Sequence, residues 1–134
     1  MFKHKVLIPE EKIQERIAAV AASLNRDYAD HTLDVICILK GGLIFMSDLI
    51  RNLTMPVRLH FLQVSSYGDE TETSGTVNLH FSSVSEDLTG RDILLVEDVL
   101  DTGITLDYLI KQLKEERPST LKTCVLLDKP SRRN

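Results

Sequence analysis

Apolar positions along this chain follow two kinds of pattern, and the two alternate. From Pro9 onward Ile13, Ile17, Val20, Ala21 and Leu24 recur at the spacing of one helical face, with Glu10 and Glu11 at the end where the helix dipole favours acids. "LDVICILK" is instead a short β-branched run that reads as a buried strand, and Gly41-Gly42 leads from it into apolar "LIFMSDLI", a helix. "VRLHFLQVSS" predicts a further strand. The polar, acidic "YGDETETSG", bounded by Gly68 and Gly75, predicts a mobile loop that joins it to "TVNLHF" as a long-armed hairpin. "DILLVED" is the next strand. After Gly103 the residues Leu106, Leu109, Ile110 and Leu113 share one helical face that ends near "EERPS", and "LKTCVLLD" closes the series as a strand.

Strands alternating with helices imply an α/β fold: a mostly parallel, twisted sheet with helices on both faces, which binds its ligand beyond the carboxyl ends of the strands. With 134 residues, 43% hydrophobic and 27% charged, residues 1–134 are expected to form a single domain, with no repeat, linker or low-complexity segment. No apolar run is long enough to span a bilayer, and "MFKHKVLIPEEK" lacks the pattern of a secretory signal, so the expected compartment is the cytoplasm. A net charge of −4 argues against general attraction to nucleic acid or to an anionic membrane. Cys37 and Cys124 both lie in strand-like runs, where buried reduced thiols are expected rather than a disulfide or a metal site. His4, His31, His60 and His80 have no metal-ligand spacing and are expected to be structural or exposed.

The chemistry concentrates in "ILLVEDVLDTGITLDYLI". A strand that delivers "DTGIT" to a helix amino terminus provides backbone N–H groups for a phosphate, with Gly103 permitting close approach and Thr102 and Thr105 adding hydroxyls. The chain has neither the Walker string nor the Gly-x-Gly-x-x-Gly dinucleotide fingerprint. Glu97 and Asp98 would repel a phosphate, so they should address another part of the same ligand. A ribose diol suits acceptor-only carboxylates, which also suit Mg²⁺ as hard oxygen ligands. Asp101, beyond the strand, could accept a proton or stabilise positive charge developing on a sugar carbon.

"LLVEDVLDTGITL" resembles the phosphoribosyl pyrophosphate signature of type I phosphoribosyltransferases, specifically the hypoxanthine-guanine branch, and "ILKGG", "VSSYGD" and "LLDKPSRR" follow in that family's order and with similar spacing. The resemblance implies transfer of a 5-phosphoribosyl group from phosphoribosyl pyrophosphate to a 6-oxopurine, with Mg²⁺ as cofactor and release of pyrophosphate and a nucleoside monophosphate. By position it implies that Glu97 and Asp98 hold the ribose hydroxyls and the metal. Asp101, Thr102, Gly103, Ile104 and Thr105 would surround the 5-phosphate, with Asp101 also facing the purine N7 as general base. Lys40, Gly41 and Arg133 would meet the pyrophosphate, with the Leu39–Lys40 peptide often cis in relatives. Ser66 and Tyr67 would begin a lid that excludes water from an oxocarbenium-like sugar carbon. Lys129 would contact the purine 6-oxo group, and a homo-dimer or homo-tetramer is the family expectation.

Family members continue with a segment carrying an aromatic residue that stacks on the purine, main-chain groups that read its 2-position, and a further Mg²⁺-binding acid. That segment has no counterpart in this sequence, which is C-terminally incomplete relative to the family. Two other readings follow. One is a regulatory protein, catalytically impaired, that keeps the phosphoribosyl pyrophosphate site as a sensor. The other is a phosphatase or receiver-like domain holding Mg²⁺ at an acidic strand end, against which stands the Thr-Gly-Ile-Thr turn that favours a bound phosphate.

Overall fold

The computed structural model describes residues 8–65, 78–81, 86–100 and 103–128. The first helix, α1 (Glu10–Asp27), starts behind Pro9, which has no N–H to lose and whose carbonyl accepts from both Lys12 N–H (3.1 Å) and Ile13 N–H (3.2 Å). It buries Ile17, Ala21 and Leu24, spaced four and three apart on one face. Strand β1 (Leu33–Leu39) is buried from Leu33 to Ile38 and is followed by α2 (Gly42–Ile50). The hairpin arms are β2 (Val57–Ser65) and β3 (Asn78–Phe81). The chain then forms β4 (Asp92–Leu100), α3 (Ile104–Lys114) and β5 (Thr120–Asp128). The loop between the hairpin arms lies outside the described residues.

The five strands form one sheet in the order β3-β2-β1-β4-β5, parallel throughout except for the β2–β3 pair. Side chains of β1 and β4 alternate between two cores. Val35, Cys37, Leu94 and Val96 pack with Ile17, Ala21 and Leu24 of α1 and with Phe45, Met46 and Leu49 of α2. Ile36, Ile38, Ile93 and Leu95 face the other way, onto Leu109 and Leu113 of α3. Helices therefore cover both faces, as the alternating pattern requires. Among the described residues no helix is long and apolar enough to cross a membrane. Both cysteines are free, and burial pushes the Cys37 thiol up to about 11, assisted by the charges of Glu97 and Asp98.

The amino ends of the strands carry a buried polar network. Asp34, with no exposed surface, accepts from Arg58 Nε (3.2 Å) and a second Arg58 nitrogen (3.3 Å), from an Arg91 guanidinium nitrogen (3.1 Å), and lies 2.8 Å from His60 Nε2. Arg91 also donates to Glu86 at 3.0 Å. Burial alone would raise the Asp34 carboxyl, but the hydrogen bonds from Arg58, His60 and Arg91 hold it below the usual carboxylate range. A second network joins α1 to the starts of β4 and β5. His31 Nδ1 lies 2.7 Å from Asp92, the Thr120 hydroxyl donates to Asp92 at 2.8 Å, and Tyr28 OH is 2.9 Å from Thr120 Oγ1. Both described histidines with such partners are structural, as expected.

Asp34→Ala would leave two guanidinium groups and a buried imidazole without their carboxylate, so a loss of about 3 to 5 kcal/mol in denaturant unfolding at pH 7 is expected. Because the folded carboxyl titrates below its unfolded value, that contribution is present above about pH 4 and is lost as the pH falls through the folded value. The gap between variant and wild type should narrow on acidification. A loss under 1 kcal/mol at pH 7 would show that the network is dispensable.

Candidate functional site

The site forms where β1 and β4 lie side by side and their chains depart to opposite faces, β1 into α2 and β4 into α3. This is the switch point at which parallel sheets hold ligands. β1 ends first. Its last partner on β4 is Cys37 opposite Val96, whereas β4 runs on to Leu100, paired from there with β5 alone. The flank of β4 at Glu97 and Asp98 is thus open to the turn at Lys40–Gly41, which follows a cis Leu39–Lys40 peptide.

That turn rests directly on the acids. A β-carbon at Gly41 would overlap the Asp98 carboxylate, falling 2.7 Å from its Cγ and 2.8 Å from its Oδ1, and one at Gly42 would fall 3.2 Å from the Val96 carbonyl oxygen. Gly41 has φ −59° and ψ −35°, a conformation open to any residue, so space rather than backbone geometry demands glycine here. Gly103 is the opposite case. It precedes α3 with φ 87°, in the left-handed region that glycine enters without strain, and its carbonyl accepts the Asp107 N–H at 2.9 Å. Helix geometry leaves the N–H groups of Thr105 and Leu106 without an intrahelical acceptor and points them out of the amino end of α3.

Glu97 is half-buried, and its Oε1 accepts the Asp98 N–H at 2.9 Å. Burial pushes its carboxyl up to about 7, a hydrogen bond shared with the Asp98 side chain and the charge of Asp98 act in the same direction, and the Asp98 N–H opposes them. Two adjacent carboxylates that disfavour each other's charge form a receptor for a dication or for hydroxyl donors, either of which relieves the repulsion. Among the described residues no group of three or more His, Cys, Asp or Glu gathers as a metal cage. A hard cation here would take two carboxylate oxygens from the protein and the remainder from water or ligand, the arrangement that suits Mg²⁺.

Of the residues singled out in the sequence, Gly41 is brought against Asp98, Lys40 precedes it and Glu97 adjoins Asp98, while Gly103, Ile104 and Thr105 open α3. Ser66, Tyr67, Asp101, Thr102, Lys129 and Arg133 lie outside the described residues. The pattern did not disclose an apolar groove beside Asp98, walled by Ile13, Ile17, Ile44, Phe45 and Leu126. Its only trace in the sequence is the unbroken apolar start of α2.

The raised Glu97 value sets a pH dependence. A folded carboxyl near 7, against about 4.3 when unfolded, must ionise in the folded state at a cost, absent below about pH 4.5 and complete above about pH 7. Glu97→Gln should therefore melt higher than wild type at pH 8 without divalent cations, by about 1 to 2 kcal/mol once solvent screening is allowed for, and equally at pH 4.5. A gap that does not change with pH would contradict the burial of this carboxyl.

A family described as the phosphoribosyl transferase domain matches residues 9–134. The hypoxanthine-guanine phosphoribosyltransferase of Bacillus subtilis is 41% identical over 136 residues, covering 99% of this chain and 75% of its own length. That of Mycobacterium avium is 40% identical, over 96% of this chain and 66% of its own. A crystal structure of the Bacillus anthracis hypoxanthine-guanine phosphoribosyltransferase superposes with a TM-score of 0.89 at 39% identity, over 100% of this chain and 79% of that one. A Trypanosoma cruzi hypoxanthine phosphoribosyl transferase gives 0.89 and 39%, over 99% and 73%. The chain belongs to the phosphoribosyl transferase family, among the hypoxanthine-guanine phosphoribosyltransferases.

Proposed function

We infer that this chain serves purine salvage, moving the 5-phosphoribosyl group of phosphoribosyl pyrophosphate to a 6-oxopurine, hypoxanthine or guanine, with release of pyrophosphate and a nucleoside monophosphate. The observation that carries this reading is the contact of Gly41 with the Asp98 carboxylate. It sets a turn suited to one phosphate group against a pair of acids suited to a ribose diol, and the strand that carries the acids is followed by a helix amino terminus. Few ligands have a diol flanked by phosphates on both sides, and phosphoribosyl pyrophosphate is one. The reading of a regulatory protein that only binds it is not favoured, because the relatives matched along nearly the whole chain bear the transferase name.

In this reading Lys40, Gly41 and Arg133 hold the pyrophosphate, and Glu97 and Asp98 hold the ribose hydroxyls. Asp101, Thr102, Gly103, Ile104 and Thr105 surround the 5-phosphate. Glu97 and Asp98 would hold Mg²⁺ as cofactor, which would supply positive charge against the departing pyrophosphate. The C1–oxygen bond to pyrophosphate breaks as purine N9 bonds to C1, and the proton on N7 passes to Asp101. Ser66 and Tyr67 begin the lid that keeps water from C1, and Lys129 donates to the 6-oxo oxygen. The protein acts as a single domain in the cytoplasm as a homo-dimer or homo-tetramer, in keeping with the family.

Nucleotide formation tests this directly: phosphoribosyl pyrophosphate and Mg²⁺ supplied with hypoxanthine, guanine, xanthine and adenine in turn should give product with a 6-oxopurine and not with adenine. Asp101→Asn should lower kcat by about 100-fold or more while phosphoribosyl pyrophosphate binding changes little. Wild-type turnover in that variant would remove Asp101 as the base, and product from adenine alone would overturn the substrate assignment.

A further inference from the structure

Cys37 is the last residue of β1 that pairs with β4, opposite Val96, and neither has any exposed surface. Beyond that pair β1 leaves through Lys40 and Gly41 into α2, while β4 continues through Glu97 and Asp98. Strand alternation puts Cys37 and Val96 in the core that faces α2 and sends Asp98 to the same face. The turn at residues 40–42 therefore comes down on three neighbouring positions of the sheet.

Its two glycines are seated differently. Under Gly41 lies the Asp98 carboxylate. Under Gly42 lie the Val96 carbonyl oxygen, the Cys37 thiol and the Glu97 α-carbon, 3.2, 3.5 and 3.7 Å from where a β-carbon would stand. The first and last of these are backbone of β4, which is held between β1 and β5 and cannot recede. Only the thiol belongs to a side chain, so the size of residue 37 can change the height of the turn while leaving both the turn and the acids chemically intact. Cys37 shares its core with Phe45, Met46 and Leu49 of α2, and a larger residue there has no open space to enter.

We propose that Cys37 is a positioning residue, whose thiol sets how far the turn stands from Glu97 and Asp98 and hence the spacing between the pyrophosphate seat and the ribose seat. It touches no ligand itself. The proposal rests on the transferase reading, which gives the turn a pyrophosphate to meet. Small misplacements of a positioning element cost large factors in affinity and rate.

Calorimetry with Mg²⁺ on the 134-residue chain compares phosphoribosyl pyrophosphate with ribose 5-phosphate, which does not reach the turn. Cys37→Val lifts the turn off Asp98 without moving β4, so it should bind phosphoribosyl pyrophosphate at least tenfold more weakly and ribose 5-phosphate within about threefold of wild type. Val35→Ile adds comparable bulk to the same core two residues earlier on β1, and should leave both affinities within about threefold. Gly42→Ala presses a methyl group against the Val96 oxygen and the thiol, and should also weaken phosphoribosyl pyrophosphate binding. Adding Cys37→Ala to it should restore much of that loss, because the methyl group can move into the vacated space. This pair decides the question alone should Cys37→Val not fold. Wild-type affinity for phosphoribosyl pyrophosphate in Cys37→Val, an equal loss in Val35→Ile, or no recovery in the double variant would overturn the positioning role. A wild-type chain that binds ribose 5-phosphate and phosphoribosyl pyrophosphate not at all would overturn the transferase reading, and the proposal with it.

Discussion

The contact between Gly41 and the Asp98 carboxylate is the constraint on which the site depends. It exists because β1 leaves the sheet while β4 continues, so the turn after one strand folds onto the exposed flank of the other. Every chemical property of the mouth follows from that offset. Burial raises the Glu97 carboxyl, and the neighbouring Asp98 adds to the shift. A side chain at residue 41 would have to push the Asp98 carboxylate aside. The helix that follows β4, α3, packs on the opposite face of the sheet from α2.

The two ends of the sheet handle charge in opposite ways. At the amino ends Asp34 is surrounded by donors and held ionised, which binds β1, β2 and the approach to β4 together. At the carboxyl ends burial and the adjacent Asp98 hold the Glu97 carboxyl up, so part of the stability is forgone where a ligand must bind. The pH responses of the two ends accordingly run in opposite directions. A satisfied cluster stabilises the scaffold, and an unsatisfied one gives a ligand something to complete.

Much of the fold was legible in the sequence, because local periodicity carries it. The α1 face, the buried run of β1 and the Leu106–Leu113 stripe of α3 each declare their element within a few residues. The 97–105 stretch was legible for a similar reason: acids, glycine and threonine lie between a strand and a helix with no gap. What remained hidden depends on partners distant in the chain. Asp34 reads as a blemish in an apolar strand until Arg58, His60 and Arg91, which are 24, 26 and 57 residues away, close around it. Gly41 reads as a turn glycine that would meet the pyrophosphate, and only the folded chain reveals the Asp98 carboxylate that a larger residue would have to displace. The start of α2 reads as core, whereas Leu43 and Ile44 face outward, because a wholly apolar helix start does not say which side has a neighbour.

The most direct test of the central claim is the affinity of Gly41→Ala for ribose 5-phosphate and for phosphoribosyl pyrophosphate, measured by calorimetry with Mg²⁺. A methyl group at residue 41 must displace the Asp98 carboxylate, so at least tenfold weaker binding of both ligands is expected, including ribose 5-phosphate, which has no pyrophosphate to meet the turn. Unchanged affinity for ribose 5-phosphate with loss confined to phosphoribosyl pyrophosphate would contradict it, showing that the turn and the acids act independently.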